Sequence, residues 1–489
     1  MIQRKKVLVI TYYWPPSGGA GVQRFLKFVK YFPKYGIDPV VLTCANPTYP
    51  MKDSSLINDV PAGLPVYYAR TIEPFRFYSW MAGTTPEQVA NPVTILGAKD
   101  LNLPQRLARW LRANLFVPDA RVGWVPFAQS KARSLINRYA IDTVITTGPP
   151  HSAHFVGRRL KRKTGVRWIA DFRDPWTDIH YNHVLPRTAL TRKRDKRMET
   201  SVLNEADEVT VTTPGTARYL TGKVDRTYHI IPNGFDPDDF NAVKKSTPDT
   251  NRPLLIRHVG SITETSIPDN LLKAISDLTK PKVRLEFIGA VHSDIHRHIN
   301  SFGLSEIVTI RSYVPHNEAT SLMQQSDINV VVVHRSDDSR ILIPGKLYDY
   351  LKAGKPILVI GPTDGDAAAI IRRCRIGAAF DYNDVSGPAD WIRHIASQTF
   401  IEAPNTKKKP DYGTMPESEC RPGSEVKPDS ERDFEANLPF QSTLQRDMSQ
   451  KFPTICPDID KIAQYARPAL TKRLARLLFN SGTEHILES

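Results

Sequence analysis

Four stretches of this chain hold residues whose chemistry goes beyond packing. In the first, Trp14-Pro15-Pro16-Ser17-Gly18-Gly19-Ala20-Gly21 follows the apolar run Val7 to Tyr12 and leads into a helical pattern. Its glycines would let backbone N–H groups approach a phosphate or carboxylate at a helix start, although an ordinary tight turn uses the same residues. Neither a Walker loop nor a GxGxxG fingerprint is reproduced. In the second, Thr147-Gly148-Pro149-Pro150-His151-Ser152-Ala153-His154, an imidazole stands just past a strand. There His151 can hydrogen-bond a sugar hydroxyl or accept a proton, or simply serve the loop. The third, Asp171-Phe172-Arg173-Asp174-Pro175-Trp176, gathers carboxylates, a guanidinium and an indole. That set suits a sugar, with Asp171 and Arg173 for hydroxyls and Trp176 for the ring face, while an Asp–Arg pair bracing the loop is the structural alternative. In the fourth, Ile343 to Leu351, Gly345 and Lys346 open a helix, where free N–H groups and an ammonium can hold a diphosphate. Asp349 follows on nearly the same face and can accept two ribose hydroxyls, unless the two form a plain surface Lys–Asp pair.

Such residues need rigid edges to stand on, and the chain supplies them in a repeating pattern of β-branched run, Gly or Pro turn, and helical stretch. Strands are expected at Val7 to Tyr12, Pro39 to Thr43, Thr143 to Thr146, Arg167 to Asp171 and Glu208 to Thr213, with helices at Gly21 to Tyr35 and His151 to Thr164. The pattern restarts with strands at Leu254 to Val259, Arg284 to Ile288, Val308 to Arg311, Ile328 to Val333 and Pro356 to Ile360. Helices fall at Pro268 to Asp277, Asn317 to Gln325 and Lys346 to Ala353. The alternation predicts an α/β chain of two doubly wound, Rossmann-like domains facing an interdomain crevice at the carboxyl ends of their strands. The expected boundaries are 1–225, 226–400, a proline- and charge-rich flexible insertion at 401–455, and a C-terminal segment at 456–489. In that last segment Ile459 to Phe479 reads as an amphipathic helix that docks to complete a domain, a free membrane-surface helix being the alternative.

Composition narrows the partners. The 489 residues carry a net charge of +15, concentrated in Arg158 to Lys163 and Arg187 to Arg197. That favours anionic ligands or an anionic membrane surface, or else a solvated helix face; no stacking-aromatic pattern argues for nucleic acid. Cys44, Cys374, Cys420 and Cys456 have no metal-site or disulfide spacing, and no apolar run reaches the length of a membrane span. The expectation is a cytoplasmic protein, with a peripheral place at the inner membrane face as the alternative.

Taken in order, Pro-Pro-Ser-Gly-Gly at 15 to 19, Gly-Pro-Pro-His-Ser at 148 to 152, Asp-Phe-Arg-Asp-Pro-Trp at 171 to 176, Ile-Pro-Asn-Gly-Phe-Asp at 231 to 236 and Pro-Gly-Lys-Leu-Tyr-Asp-Tyr-Leu resemble bacterial family-4 glycosyltransferases. The resemblance spans about residues 5 to 395 and the final helix. It implies the GT-B architecture, retention of anomeric configuration, no metal and no cofactor, and a nucleotide-sugar donor held by the C-terminal domain. It also implies a last helix that crosses back onto the N-terminal domain. By position it puts His151 toward the reacting sugar, Gly18 and Gly19 near the diphosphate or acceptor, Lys346 on the diphosphate and Val314 near the base. Asp349 stands at the second acid of the family's Glu-x7-Glu pair, the one that binds the ribose. The chain departs from the pattern at Ile341, where the first acid is missing, and at Thr263-Glu264-Thr265-Ser266, where relatives carry a cation; Arg340 or Arg257 could substitute.

The expected function is therefore transfer of a sugar from a nucleotide sugar to a glycan or lipid-linked acceptor in cell-surface polysaccharide synthesis. The missing acid keeps a non-catalytic binding protein of the same fold as the runner-up, with a sugar-nucleotide epimerase third.

Overall fold

The computed structural model describes residues 4–49, 52–73, 102–179, 182, 185–240, 252–279, 282–397, 452 and 455–479. The insertion expected at 401–455 lies, apart from Phe452 and Ile455, outside the described residues. The chain forms two compact units: Met1–Asp236 with Ser336–Ile341 and Arg467–Ser489, and Pro237–Arg335 with Leu342–Ala466.

In the first unit β1 (Lys5–Ile10), β2 (Ile37–Cys44), β3 (Val66–Ala69), β4 (Thr143–Gly148), β5 (Arg167–Phe172), β6 (Glu208–Val211) and β7 (His229–Ile230) form one parallel sheet in the order β3-β2-β1-β4-β5-β6-β7. Around it run α1 (Ala20–Tyr31), α2 (Leu103–Leu115), α3 (Val125–Tyr139), α4 (Ala153–Thr164), α5 (Ala189–Glu205) and α6 (Pro214–Thr221). Side chains alternate across a strand, so Val7 and Val9 of β1 join Phe25, Phe28 and Val29 of α1 in one layer. Leu8 and Ile10 join Val144, Trp168, Ala128 and Val156 in the other. A sheet covered on both faces explains why β1 and β4 read as continuous apolar or β-branched runs.

The second unit repeats the plan. Strands β8 (Leu254–Val259), β9 (Val283–Ile288), β10 (Val308–Arg311), β11 (Ile328–Val332), β12 (Ile357–Ile360) and β13 (Gly377–Phe380) form a parallel sheet in the order β10-β9-β8-β11-β12-β13. Its helices are α7 (Asp269–Ser276), α8 (Asp294–Ser301), α9 (His316–Gln325), α10 (Lys346–Ala353), α11 (Asp366–Cys374), α12 (Ser386–Ser397) and α13 (Ile459–Ala463). In both sheets the strand order reverses beside the first strand, between β1 and β4 and between β8 and β11, and such switch points are where α/β sheets bind ligands.

The apolar stretch near the C-terminus divides into two helices. Helix α13 stays with the second unit, where Asp458 N–H donates to Cys374 O at 2.9 Å. Helix α14 (Arg467–Leu478) packs on α1, burying Leu470, Leu474 and Leu478, and Tyr35 Oη donates to Pro468 O at 2.8 Å. The amphipathic face read at the C-terminus is thus a packed one.

Candidate active site

In the first unit the glycine-rich loop, the histidine loop and the Asp-Phe-Arg-Asp loop all leave carboxyl ends of neighbouring strands. Gly19, at φ 101, is the N-cap of α1, a conformation L side chains rarely adopt. Gly18 beside it is half-buried. Arg173 ties the loops together: its Nη1 donates to Gly21 O at 2.7 Å, its Nη2 to Pro149 O, and its own carbonyl accepts from Thr212 Oγ1 at 2.7 Å. Gly21 must be glycine for this, because a Cβ there would lie 2.8 Å from Arg173 Nη1.

Asp171 lies below those loops and is 1% exposed. Arg24 of α1 donates to it from Nη2 at 2.7 Å and from Nε at 3.1 Å, and the hydroxyls of Thr147 and Thr210 donate at 2.8 and 2.7 Å. Burial pushes its pKa up, but Arg24 and the hydroxyls outweigh it and leave the carboxylate below its ordinary range. Asp171 and Arg173, expected at the sugar or acceptor, brace the loops in the ligand-free chain. Asp171 has its oxygens engaged beneath the floor, and the half-buried Arg173 donates to carbonyls of two loops. Arg24 was not legible as a site residue, since 147 positions separate it from Asp171.

The same guanidinium explains another motif. Arg24 Nη1 donates to Pro232 O at 3.0 Å and Asn233 Oδ1 at 3.2 Å, and Asp236 accepts from Lys27 and Lys30 at 2.8 Å each. Ile-Pro-Asn-Gly-Phe-Asp is thus a clasp that fastens the end of the first unit to α1.

His151 is buried in a stack of rings, with its ring 5.0 Å from that of Trp176 and 9° from parallel, and with His154 and Phe172 alongside. Neither ring nitrogen has a hydrogen-bond partner among the described residues. Burial, helped by the neighbouring His154, Arg173 and Lys223, holds its pKa well below the usual 6.5, so the imidazole is neutral. Gly148 makes room for it: a Cβ there would lie 2.7 Å from His154 Nε2 and 2.9 Å from His151 Nδ1.

In the second unit the centre is Lys346, the first residue of α10, with Gly345 as its exposed N-cap. The ammonium folds back against Gly260, at the carboxyl end of β8. Gly260 has φ +139, and a Cβ there would stand 1.9 Å from Lys346 Nζ. His258 Nε2 lies 3.2 Å from the same nitrogen, and its Nδ1 is 3.1 Å from Val330 O. A carbonyl only accepts, so Nδ1 carries the proton and Nε2 offers its lone pair to the ammonium. Burial and the adjacent lysine keep His258 neutral. Burial also pushes Lys346 down to about 8, against which the charge of Asp349, one turn along, pulls upward. Val314 is half-buried between β10 and α9, and Ile341 is half-buried in the 3-10 turn Ser339–Ile341. His258 was passed over in the sequence; its one signal is a titratable residue set in an apolar strand just before a glycine.

Residues 18–234 match the family model of the glycosyl transferase 4-like domain. No curated protein matches the chain. Among solved structures, sucrose-phosphate synthase from Thermosynechococcus elongatus is similar with a TM-score of 0.53 and 14% identity, over 80% of this chain and 90% of that one. The Anabaena protein HepE follows at 0.52 and 14%, over 80% and 93%, and a glycosyltransferase from Rickettsia africae at 0.50 and 14%, over 80% and 88%. At such identity the likeness concerns the fold, which is GT-B in each. A glycosyl transferase 4-like domain thus spans most of the first unit, and the chain has the two parallel-sheet units of the GT-B fold.

Proposed function

We propose that this glycosyltransferase takes a nucleotide-sugar donor, with the diphosphate at Lys346 and the N–H groups opening α10, the ribose at Asp349 and the base near Val314. The observation that carries this reading is the partly buried Lys346 ammonium, held by His258 against a glycine at a helix start, with its pKa pushed down to about 8. A cation kept away from water at that cost is relieved by an anion, and the helix start favours the same charge. HepE, of the same fold, has been solved with UDP and with UDP-glucose.

Transfer breaks the bond from C1 to the diphosphate oxygen, and the electron pair leaves with the nucleotide. Lys346 and the helix N–H groups stabilise the charge that develops there. The acceptor hydroxyl, of a glycan or a lipid-linked sugar in cell-surface polysaccharide synthesis, approaches the same face of C1, forms the new O–C1 bond and passes its proton to the departing diphosphate oxygen, so configuration is retained. This chemistry needs neither metal nor cofactor. His151 is the neutral group of the first unit suited to hydrogen-bond the sugar or acceptor, and Gly18 and Gly19 offer backbone N–H groups. Asp171 and Arg173 act by holding those loops. A lipid-linked acceptor would place the enzyme at an anionic, cytoplasmic membrane face.

The test is nucleotide diphosphate release from UDP-, GDP-, ADP- and dTDP-sugars, with donor affinity measured by calorimetry. One donor should bind and release its nucleotide slowly. Lys346→Ala should lower release by roughly 100-fold, and Asp349→Ala should weaken binding. Absence of binding for every donor would remove the reading.

A further inference from the structure

The first unit carries an exposed surface that includes none of the residues assigned above. Leu103, Leu107 and Trp110 follow one another at helical spacing along α2 and face outward, from 43% exposed at Trp110 to 78% at Leu103. The opposite side of the helix is anchored by the buried Ala108 and Ala113. Arg106 flanks the outward face, and α2 has no acidic residue.

Helix α5 continues this surface. Asn114 of α2 accepts from Thr188 N–H and Thr191 Oγ1 at 2.8 Å each and donates to Pro186 O at 2.9 Å, which fixes the end of α2 to the start of α5. Beside that junction Leu115 and Leu190 are 64% and 76% exposed. On α5 the charges are sorted by side. Asp195 and Glu199 point inward, bound to Trp176 Nε1 and Arg187 and to Thr177 and Lys223. Arg192, Lys193, Arg194, Lys196 and Arg197 are all exposed. Four of these five line an open groove of about 680 Å³ with Thr200, Ser201 and Asn204.

An apolar face with a tryptophan, edged by cations of one sign, matches the boundary of an anionic bilayer: hydrocarbon below, phosphates at the rim. A protein partner could also cover the leucines, but the charge sorting selects a surface that is anionic over a wide area. We propose that α2 and α5 together dock this protein on an anionic lipid bilayer, with Leu103, Leu107, Trp110, Leu115 and Leu190 in the headgroup region and the α5 cations on lipid phosphates. This rests on the membrane-face reading above and assigns it to a surface; it does not depend on which donor is used.

The experiment is flotation of the full chain with phosphatidylcholine vesicles, with and without phosphatidylglycerol, at low and raised salt. Wild type should float with the anionic vesicles and not the neutral ones, and recovery should fall with salt. Leu107→Glu with Trp110→Glu, and separately Lys193→Glu with Arg197→Glu, should each lower partitioning roughly tenfold or more. Because these side chains are exposed, unchanged melting temperatures should accompany the loss. Donor binding in solution should also be unchanged in both variants, which separates failure here from failure of the transferase reading. Equal flotation of wild type and variants, flotation without anionic lipid, or no flotation would overturn the proposal. So would a dimer, by light scattering, that the Leu107–Trp110 variant dissociates in a protein that does not float; the face would then bind a second copy.

Discussion

Lys346 shows what a single residue costs and supplies. Its ammonium titrates at about 8 in the folded chain against an ordinary 10.5, with burial the main cause. Below pH 8 it is protonated in both states and the cost of burying the charge is present in full. Between about 8 and 10.5 the unfolded chain holds a proton that the folded chain has lost, so stability rises with pH across that window. Lys346→Met should therefore stabilise the ligand-free protein at neutral pH by roughly 1–3 kcal/mol while abolishing nucleotide diphosphate binding. Thermal melting with and without UDP checks both halves, and a lower melting temperature would show that contacts with His258 outweigh the burial. Affinity for the diphosphate should weaken as pH rises above about 8, and Lys346→Arg should flatten that dependence because a guanidinium does not deprotonate. That Lys346 and Asp349 share one helix could be read from their spacing. His258 could not, because its lysine is 88 residues away.

At the scale of elements, the loops that carry His151 and the glycines hold their places through one buried ion pair beneath them. Removing one partner of such a pair leaves a charge stranded, so Asp171→Asn or Arg24→Leu should each cost about 3–5 kcal/mol in urea denaturation, with much of that recovered when both positions are made apolar. Recovery would establish that the pair braces the fold. The clasp at Asp236 has its own signature. Burial pushes this carboxyl up, yet Lys27, Lys30 and Tyr31 outweigh it and bring it down from 3.8 to about 2. That stability is present above pH 4 and is lost as pH falls toward 2, worth about 2 kcal/mol, and Asp236→Asn should flatten the acid limb of the stability profile. The Asp-Phe-Arg-Asp spacing suits sugar recognition and loop bracing equally well. Only the presence of Arg24, Thr147 and Thr210 around Asp171 decides between them.

Across the whole molecule the chain returns to its beginning. Helix α14, from residue 467 onward, seals the layer of the first unit that holds Phe25, Phe28 and Phe32. Deleting residues 467–489 removes three fully or nearly fully buried leucines, Leu470, Leu474 and Leu478, at about 2 kcal/mol each. The truncated protein should melt well below the full chain and expose the first unit to limited proteolysis; an unchanged melting temperature would mean the layer closes without it.

The sequence by itself determined the two parallel-sheet units, several strands to within a residue or two, the start of α10 and the order of the loops at the strand ends. These features depend on periodicities and turn residues that are local in the chain. Shorter or less apolar elements such as β3, β7 and β13 escaped, because few residues carry too little pattern to stand out from a loop. The tertiary structure alone decided which charged residues are buried braces and which face solvent. It paired Arg24 with Asp171, gave His258 to Lys346, turned the C-terminal amphipathic face inward and left that of α2 outward. Each of these depends on what packs against a side chain from distant parts of the chain, and residue types at local spacing do not encode that.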